Sequence, residues 1–243
     1  MDEFRFDIPR YLSLLPLFNE LRPDELTRLA EGCQLHRYAR GDMVCRLGEP
    51  CEGFHVVVTG QVKLSVLSPA GQEKVVELAG PGHTFGEALV FSDRPYVVSV
   101  QTLADSTLLA VSKRAVYAEI AADPKFALRM LAGMSRRLHG LINDVQSYTL
   151  ASGMQRIIGY LLRDTDTSEA ENGSAEGEPA PVTEAPITVQ LPASKATIAS
   201  RLSITPEYFS RVLHELEVAG LIEVGRRELR ILDAQRLARY PGR

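Results

Sequence analysis

Near the C-terminal end, a short run of polar side chains has the types and spacing that read the edges of DNA bases. Glu207, Ser210 and Arg211 lie close together, with Tyr208 among them and His214 one turn further on. An Arg can donate two hydrogen bonds to guanine O6 and N7, a Glu can accept one from cytosine N4, and a Ser can contact a base or a thymine methyl. On the outer face of a helix, these side chains predict a DNA-reading surface. An ordinary solvated face is the alternative, because Glu and Arg four residues apart also form a surface pair.

Two short helices joined by a tight turn would carry this surface. Residues 192–202 predict the first helix, with Ser194 as its N-cap. Thr205-Pro206 begins the second, because a Thr can accept a hydrogen bond at the N-cap and a Pro loses nothing at the first helical position. The second helix runs over residues 206–219, and Gly220 ends it.

A predicted β-hairpin follows the two helices. Residues 221–224 and 228–232 are its strands, and Arg226 and Arg227 give it a basic tip. Two helices, a turn and a hairpin make a winged helix-turn-helix, whose second helix enters the major groove. Thr197, on the first helix, completes the predicted set of DNA contacts.

Charge is unevenly distributed along the chain. The formal net charge of −4 would by itself argue against DNA, but from residue 192 onward nine basic residues outnumber six acidic ones. Seven acidic residues and no Lys or Arg lie between positions 164 and 186. Residues 165–186 are also rich in Gly, Ser, Ala and Pro, so we expect them to form a disordered acidic loop.

A heptad of apolar residues runs through the middle of the chain. The spacing alternates between four and three residues, as in a coiled-coil seam, at Ala127, Leu131, Met134, Leu138, Leu141, Val145 and Tyr148. This pattern predicts a helix that pairs with a second copy of the chain, with Leu131, Met134, Leu138, Leu141 and Val145 in the interface. A helix packed on its own domain is the alternative.

The N-terminal half has the pattern of an all-β domain. Short apolar runs lie at residues 54–58, 62–67, 74–78, 97–103 and 108–111, with Gly residues between them. This spacing is typical of a sandwich, jelly roll or barrel. With the helical segments, it places the chain in the α+β class.

Other functional classes have little support in the sequence. No nucleophile–base pair, phosphate-binding loop or metal-ligand spacing is visible, so we expect no enzyme. Cys33, Cys45 and Cys51 are odd in number and unevenly spaced, which is no disulfide framework. No apolar run is long enough for a membrane helix, and the N-terminus has no signal-peptide core, so the expected location is the cytoplasm.

Taken together, several motifs resemble the CRP/FNR superfamily of transcription regulators. They are Gly48-Glu49-Pro50, the run from Phe54 to Lys63, Phe85-Gly86-Glu87-Ala88, the heptad helix, and the run from Glu207 to Arg211. The resemblance covers nearly the whole chain apart from the acidic loop, and each motif alone is weak.

The resemblance implies a three-part architecture. A β-roll sensor like a cyclic-nucleotide-binding jelly roll would span residues 1–123, a dimerisation helix residues 124–150, and a winged helix-turn-helix residues 151–243. It implies a homodimer on a palindromic site that recruits RNA polymerase. Glu-x-x-Ser-Arg is similar to the FNR and Dnr branches, so Glu207, Ser210 and Arg211 would read a TTGAT-type half-site.

The resemblance also places an effector pocket in the β-roll. The pocket residues would be Phe85, Gly86, Glu87, Ala88, Val97 and Val98. The branch that responds to cyclic AMP has a phosphate-binding Arg-Ser pair where this chain has Val97-Val98, so we expect no cyclic AMP. Cys33, Cys45 and Cys51 do not match the N-terminal cysteine cluster of the FNR branch, so we expect no iron–sulfur cluster.

Similarity to the Dnr branch implies haem and a response to nitric oxide. An axial ligand would come from the five histidines, His36, His55, His83, His139 and His214, and His83 is the choice from sequence because it precedes the pocket segment. Two alternatives stay open. The regulator could respond to another small ligand or a redox signal, or the β-roll could control a protein partner.

Overall fold

A computed structural model gives the fold of this chain as two compact units, residues 1–142 and 143–243, with the boundary inside a long helix. It describes residues 6–15, 17–18, 21–92, 94–150, 152–170, 186–191, 193–225 and 228–241. Within the helices, side chains are described except at positions 136–137, 140–150 and 163–170.

The first unit is a β-roll flanked by helices. Its strands are β1 (Cys33–Tyr38), β2 (Met43–Cys45), β3 (Gly53–Thr59), β4 (Val62–Leu67), β5 (Glu73–Ala79), β6 (Thr84–Phe85), β7 (Ser99–Thr102) and β8 (Ser106–Ser112). Its helices are α1 (Ile8–Ser13), α2 (Pro23–Ala30), α3 (Glu87–Val90), α4 (Lys113–Ala122) and the long α5 (Lys125–Leu150), which crosses the unit boundary.

The strands form two antiparallel sheets, in the orders β1-β8-β3-β6 and β2-β7-β4-β5. The predicted β-roll and the α+β class are confirmed. Strand β3 shows why its sequence is almost continuously apolar: Phe54 and Val56 pack with the helices, whereas Val57 packs between the sheets. A strand buried on both faces loses the alternating pattern of a half-exposed one.

Buried ion pairs fix the start of α5 to the helices beside it. The Glu25 carboxylate of α2 is fully buried; it accepts hydrogen bonds from the Arg22 backbone N–H at 2.8 Å and from the Arg129 guanidinium of α5. The Lys125 backbone N–H and the Arg129 side chain lower the pKa of the Asp123 carboxyl. Removing one partner of a buried ion pair leaves an uncompensated charge, so these contacts hold α5 strongly.

The second unit is a winged helix-turn-helix. Its elements are α6 (Gly153–Ala170), β9 (Ile187–Gln190), α7 (Lys195–Arg201), α8 (Pro206–Val218), β10 (Ile222–Val224), β11 (Glu228–Ile231) and α9 (Ala234–Ala238). The three strands form one antiparallel sheet in the order β10-β11-β9. The two helices and the hairpin match the sequence prediction, whereas β9 was not predicted.

The predicted acidic loop begins later than expected. Helix α6 continues to Ala170, so the expectation of disorder is wrong for residues 165–170. No Gly or Pro interrupts residues 160–172, and Glu and Ala have good helix propensity, which explains the continuation. Residues 171–185 of the predicted loop lie outside the described part of the chain.

Candidate DNA-reading surface and effector cavity

Helix α8 has one buried and one exposed face. Its buried side chains, Phe209, Val212, Leu213 and Leu216, pack in the core of the second unit. The exposed positions between them are those predicted to read DNA: Glu207, Ser210, Arg211 and His214 are all exposed, whereas Tyr208 is half-buried. The amphipathic pattern therefore orients the candidate reading residues outward.

Capping interactions fix the start and the end of α8. The Thr205 hydroxyl accepts a hydrogen bond from the Tyr208 backbone N–H at 3.2 Å, as predicted for its N-cap. Gly220 has a φ of +67°, and the Leu221 N–H donates to the Leu216 carbonyl at 3.0 Å. This is a Schellman-type end, in which a Gly adopts the left-handed conformation without a Cβ penalty.

Arg156 holds the turn between α7 and α8, and sequence reasoning missed this residue. Its guanidinium donates to the Leu202 carbonyl at 2.6 Å and contacts the Ser203 carbonyl at 3.4 Å. Ser203 has a φ of +55°, a conformation that non-glycine residues seldom adopt. A cation on the last carbonyls of α7 satisfies acceptors that the helix leaves unpaired.

Outside α8, the residues expected to contact DNA are Thr197 on α7 and Arg226 and Arg227 in the wing. Thr197 is half-buried, and its hydroxyl lies 2.8 Å from the Ser194 hydroxyl at the start of α7. The Gly225 N–H donates to the Glu228 carbonyl at 2.9 Å and closes the wing hairpin. Arg226 and Arg227, at the predicted tip, lie outside the described residues.

Arg211 lies over an aromatic ring instead of in an ion pair. Its Cζ atom is 5.0 Å from the centre of the Tyr208 ring. The alternative from sequence, a surface pair with Glu207, is not seen among the described side chains. The same ring approaches the first residue of α6 closely: a Cβ at Gly153 would lie 2.7 Å from Tyr208 Cε1. These residues line a groove of about 630 Å³ together with Arg156 and Thr205.

The predicted dimer seam is partly visible on α5. Leu131 and Leu138 are 56% and 57% exposed, and Met134 is half-buried. Phe126 and Met130, in contrast, are fully buried in the core of the first unit. The side chains of Leu141 and Val145 lie outside the described residues. Exposed leucines at heptad positions are typical of a helix that pairs with another apolar face.

The predicted effector residues lie around the short helix α3. Phe85 and Glu87 are buried, Ala88 is exposed, and Gly86 precedes α3 with a φ of +87°. Only a Gly takes this conformation without strain. Just before β7, Val98 is half-buried and Val97 is 58% exposed.

A cavity of about 400 Å³ lies elsewhere in the β-roll, at the ends of β3 and β8 beside β2. None of the six residues predicted for the effector pocket lines it. The lining includes Val44, Cys45, Gly53, His55, Tyr96 and Ala110. Its volume lies within the range of small-molecule pockets, so the β-roll offers a place for an effector.

His55 is one of the polar residues that line this cavity. Its imidazole stacks on Phe85, with ring centres 5.1 Å apart and planes 13° apart. Burial, and to a smaller extent the nearby His36, lowers the pKa of His55 to about 4, so the ring is neutral near pH 7. Its Nδ1 atom is buried and has no hydrogen-bond partner among the described groups.

His83, the haem ligand expected from sequence, has a different environment. It is exposed in the turn before β6 and does not line the cavity; within the described part of the chain, its backbone alone is hydrogen-bonded, to Gly80 and Val57. A haem pocket controls its ligands through burial and nearby side chains, so the surroundings of His83 do not fit this role. His55, in contrast, lines the cavity.

Two of the three cysteines are poor candidates for a redox sensor. Burial raises the pKa of both the Cys33 and the Cys45 thiols to about 12. Because the thiolate is the reactive form, such thiols react slowly with oxidants. Among the described residues, no group of three or more His, Cys, Asp or Glu side chains could hold a metal ion, and no helix is long and apolar enough to cross a membrane.

Comparison with known proteins identifies two domains. A cyclic nucleotide-binding domain family matches residues 35–123, and a Crp-like helix-turn-helix domain family matches residues 155–240. The solved structure of DNR from Pseudomonas aeruginosa is 33% identical, covers 97% of this chain and 99% of DNR, and has a TM-score of 0.52.

Two further relatives extend the comparison. FixK2 from Bradyrhizobium japonicum has the same fold, with a TM-score of 0.71, 21% identity, and coverage of 87% of this chain and 98% of FixK2. The CRP-like cAMP-activated global transcriptional regulator of Mycobacterium tuberculosis H37Rv is 24% identical over 223 residues, which are 92% of this chain and 95% of that protein. Because both domain families match and DNR is 33% identical over nearly the full length of both chains, the chain belongs to the CRP/FNR family of DNA-binding transcription regulators.

Proposed function

We propose that this protein is a homodimeric regulator that reads TTGAT-type palindromes with α8 and is controlled by a small effector in its β-roll. The observation that carries the DNA-reading part is the outer face of α8, where Glu207, Ser210 and Arg211 are exposed while the opposite face is fully buried. A rigid helix that presents an Arg, a Glu and a Ser together matches the chemistry of a guanine, a cytosine and a thymine in one half-site.

Arg211 is the most informative residue for testing base reading. Arg211→Ala should weaken binding to a TTGAT palindrome by about 1–3 kcal/mol and reduce discrimination at the single base pair that Arg211 contacts. Fluorescence anisotropy with the palindrome and with a set of single-base variants measures both effects. Arg40→Ala, which removes an exposed charge in the first unit, is the matched control. Full discrimination by Arg211→Ala would refute the assignment.

The exposed leucines of α5 support the homodimer. A two-fold dimer places two copies of α8 on successive turns of a duplex, which explains why a palindrome would be read. On a promoter, such a dimer would act by contacting RNA polymerase, as the family resemblance implies.

The effector part of the proposal rests on the β-roll. Val97 and Val98 give no charge or hydroxyl for a cyclic phosphate, which favours an effector other than a cyclic nucleotide, although the mycobacterial relative is named as cAMP-activated. Haem is the cofactor that the resemblance to the Dnr branch implies, and its iron would bind nitric oxide. His55, in the 400 Å³ cavity, is the residue of this chain that we propose would hold it.

An absorption spectrum tests the effector directly. Purified protein mixed with haem should show a Soret band that shifts with nitric oxide, and His55→Ala should reduce haem affinity whereas His83→Ala should not. Calorimetric titration with cyclic AMP should give no heat of binding. Saturable binding of cyclic AMP, together with unchanged haem affinity in His55→Ala, would contradict haem bound by His55 as the effector and favour a cyclic nucleotide.

A further inference from the structure

Tyr208 lies on the recognition helix, yet its ring contacts the protein on more than one side. The side chain is half-buried, and its backbone N–H is fixed by the Thr205 hydroxyl at 3.2 Å. The ring edge lies so near Gly153 of α6 that a Cβ there would be 2.7 Å from Cε1 and 3.0 Å from Cζ. Real Cβ atoms do not approach so closely, so the bare backbone of Gly153 makes room for the ring.

The Arg211 guanidinium lies over this ring. The distance from Cζ to the ring centre is 5.0 Å, within the range of a cation–π contact. Arg211 is three residues after Tyr208 on the same helix, which is the spacing of neighbouring side chains. No described carboxylate forms an ion pair with Arg211, although Glu207 is only one turn away. The ring is therefore the contact that orients the guanidinium in the free protein.

We propose that Tyr208 is a positioning residue: supported by Gly153, its ring holds the Arg211 guanidinium ready to contact a base, and so sets the specificity of Arg211. This inference rests on the proposed base-reading role of Arg211. A free Arg side chain must be ordered when it binds, which costs conformational entropy, and a side chain ordered beforehand avoids most of that cost. Tyr208 would thus act on DNA through Arg211 and not by a base contact of its own.

The ring and the hydroxyl of Tyr208 can be separated by mutation. Tyr208→Phe keeps the ring, and Tyr208→Leu keeps apolar volume but removes the π-face. We expect the ratio of dissociation constants, for a TTGAT palindrome against one with its G·C pair replaced, to fall about three- to tenfold in Tyr208→Leu and to stay unchanged in Tyr208→Phe. Affinity for unrelated DNA and the melting temperature should stay near wild type, which a merely structural role of Tyr208 would not allow.

Gly153 gives an independent test with a matched control. Gly153→Ala adds a carbon against the ring and should reduce discrimination in the same direction as Tyr208→Leu. Gly159→Ala, on the same helix, adds its carbon where no atom beyond its chain neighbours and the nearby helix backbone lies within 4 Å, and it should leave discrimination unchanged. Equal effects of the two glycine substitutions would argue against a support role for Gly153.

A double-mutant cycle distinguishes this inference from the proposed function. In full-length protein carrying Arg211→Ala, adding Tyr208→Leu should cause no further loss of discrimination, because Tyr208 acts through Arg211. Additive losses would mean that Tyr208 reads DNA itself, which overturns the inference but leaves the proposed function intact. If Arg211→Ala alone keeps wild-type discrimination, the base-reading role fails and the inference fails with it.

Discussion

Two helices of this protein, α5 and α8, each bury one face and leave the other uncovered, and the chemistry of the uncovered faces differs. The outer face of α5 carries exposed leucines, Leu131 and Leu138. The outer face of α8 carries Glu207, Ser210 and Arg211. Apolar surface is stabilised by removal from water, whereas polar side chains in fixed positions suit hydrogen bonding to a polar ligand. The comparison suggests a second copy of the chain as the partner of α5 and DNA as the partner of α8.

The largest expected effect comes from making the α5 face polar. Leu131→Asp combined with Leu138→Asp should give a monomer, because two buried charges at heptad positions disfavour pairing. Loss of the second recognition helix should weaken binding to the palindrome by about a hundredfold or more. Light scattering and anisotropy measure the two quantities. Leu128→Asp, at a position that is 66% exposed and outside the heptad series, is the control. A stable dimer of the double variant would show that α5 has a different partner.

A substitution on the buried face of α5 should instead lower folding stability. Arg129→Met removes the nearer of two guanidinium groups that pair with the fully buried Glu25 carboxylate; the Arg22 N–H still donates to it, and Arg22 Nε stays 3.6 Å from it. We expect the free energy of unfolding to fall by about 2–3 kcal/mol, with the dimer retained. Urea denaturation followed by circular dichroism measures the change. If stability stays near wild type, this ion pair does not fix α5.

A smaller effect is expected in the pH dependence of folding stability, which should depend on His55 inside the β-roll and not on His214 at the surface of α8. The pKa of His55 is about 4 in the folded protein and near 6.5 when unfolded, so its contribution to stability is complete above pH 6.5 and is lost as the pH falls toward 4. His55→Gln should therefore reduce by about 2 kcal/mol the stability lost between pH 7 and pH 5. His214→Gln, on the exposed face of α8, is the control. An unchanged pH dependence in His55→Gln would show that His55 is not buried as described.

Sequence reasoning succeeded where the determinants are local. The limits of α8 follow from Thr205, Pro206 and Gly220, which act within one helical turn. Strand β1 was missed because four of its six side chains are exposed, so its sequence lacks apolar alternation. Strand β9 was missed because it is short and pairs with β11 on the far side of the helix-turn-helix.

In the candidate site, too, only the features that depend on local sequence were predictable. The exposed face of α8 follows from its period, whereas the support of Tyr208 by Gly153 and of the turn by Arg156 joins residues far apart in sequence. The cavity likewise gathers side chains from β2, β3 and β8, which no local pattern reveals. This explains why the sequence points to His83 although His55 lines the cavity.

Binding of the full-length protein to three duplexes tests the central claim most directly. They are a TTGAT palindrome, the same duplex with one half-site scrambled, and a fully scrambled duplex, each titrated at several salt concentrations. We expect the tightest binding to the palindrome, weaker binding to the single half-site and the weakest to the scrambled duplex, with salt weakening all three because each involves phosphate contacts. Equal affinity for the palindrome and the scrambled duplex would contradict sequence reading by α8.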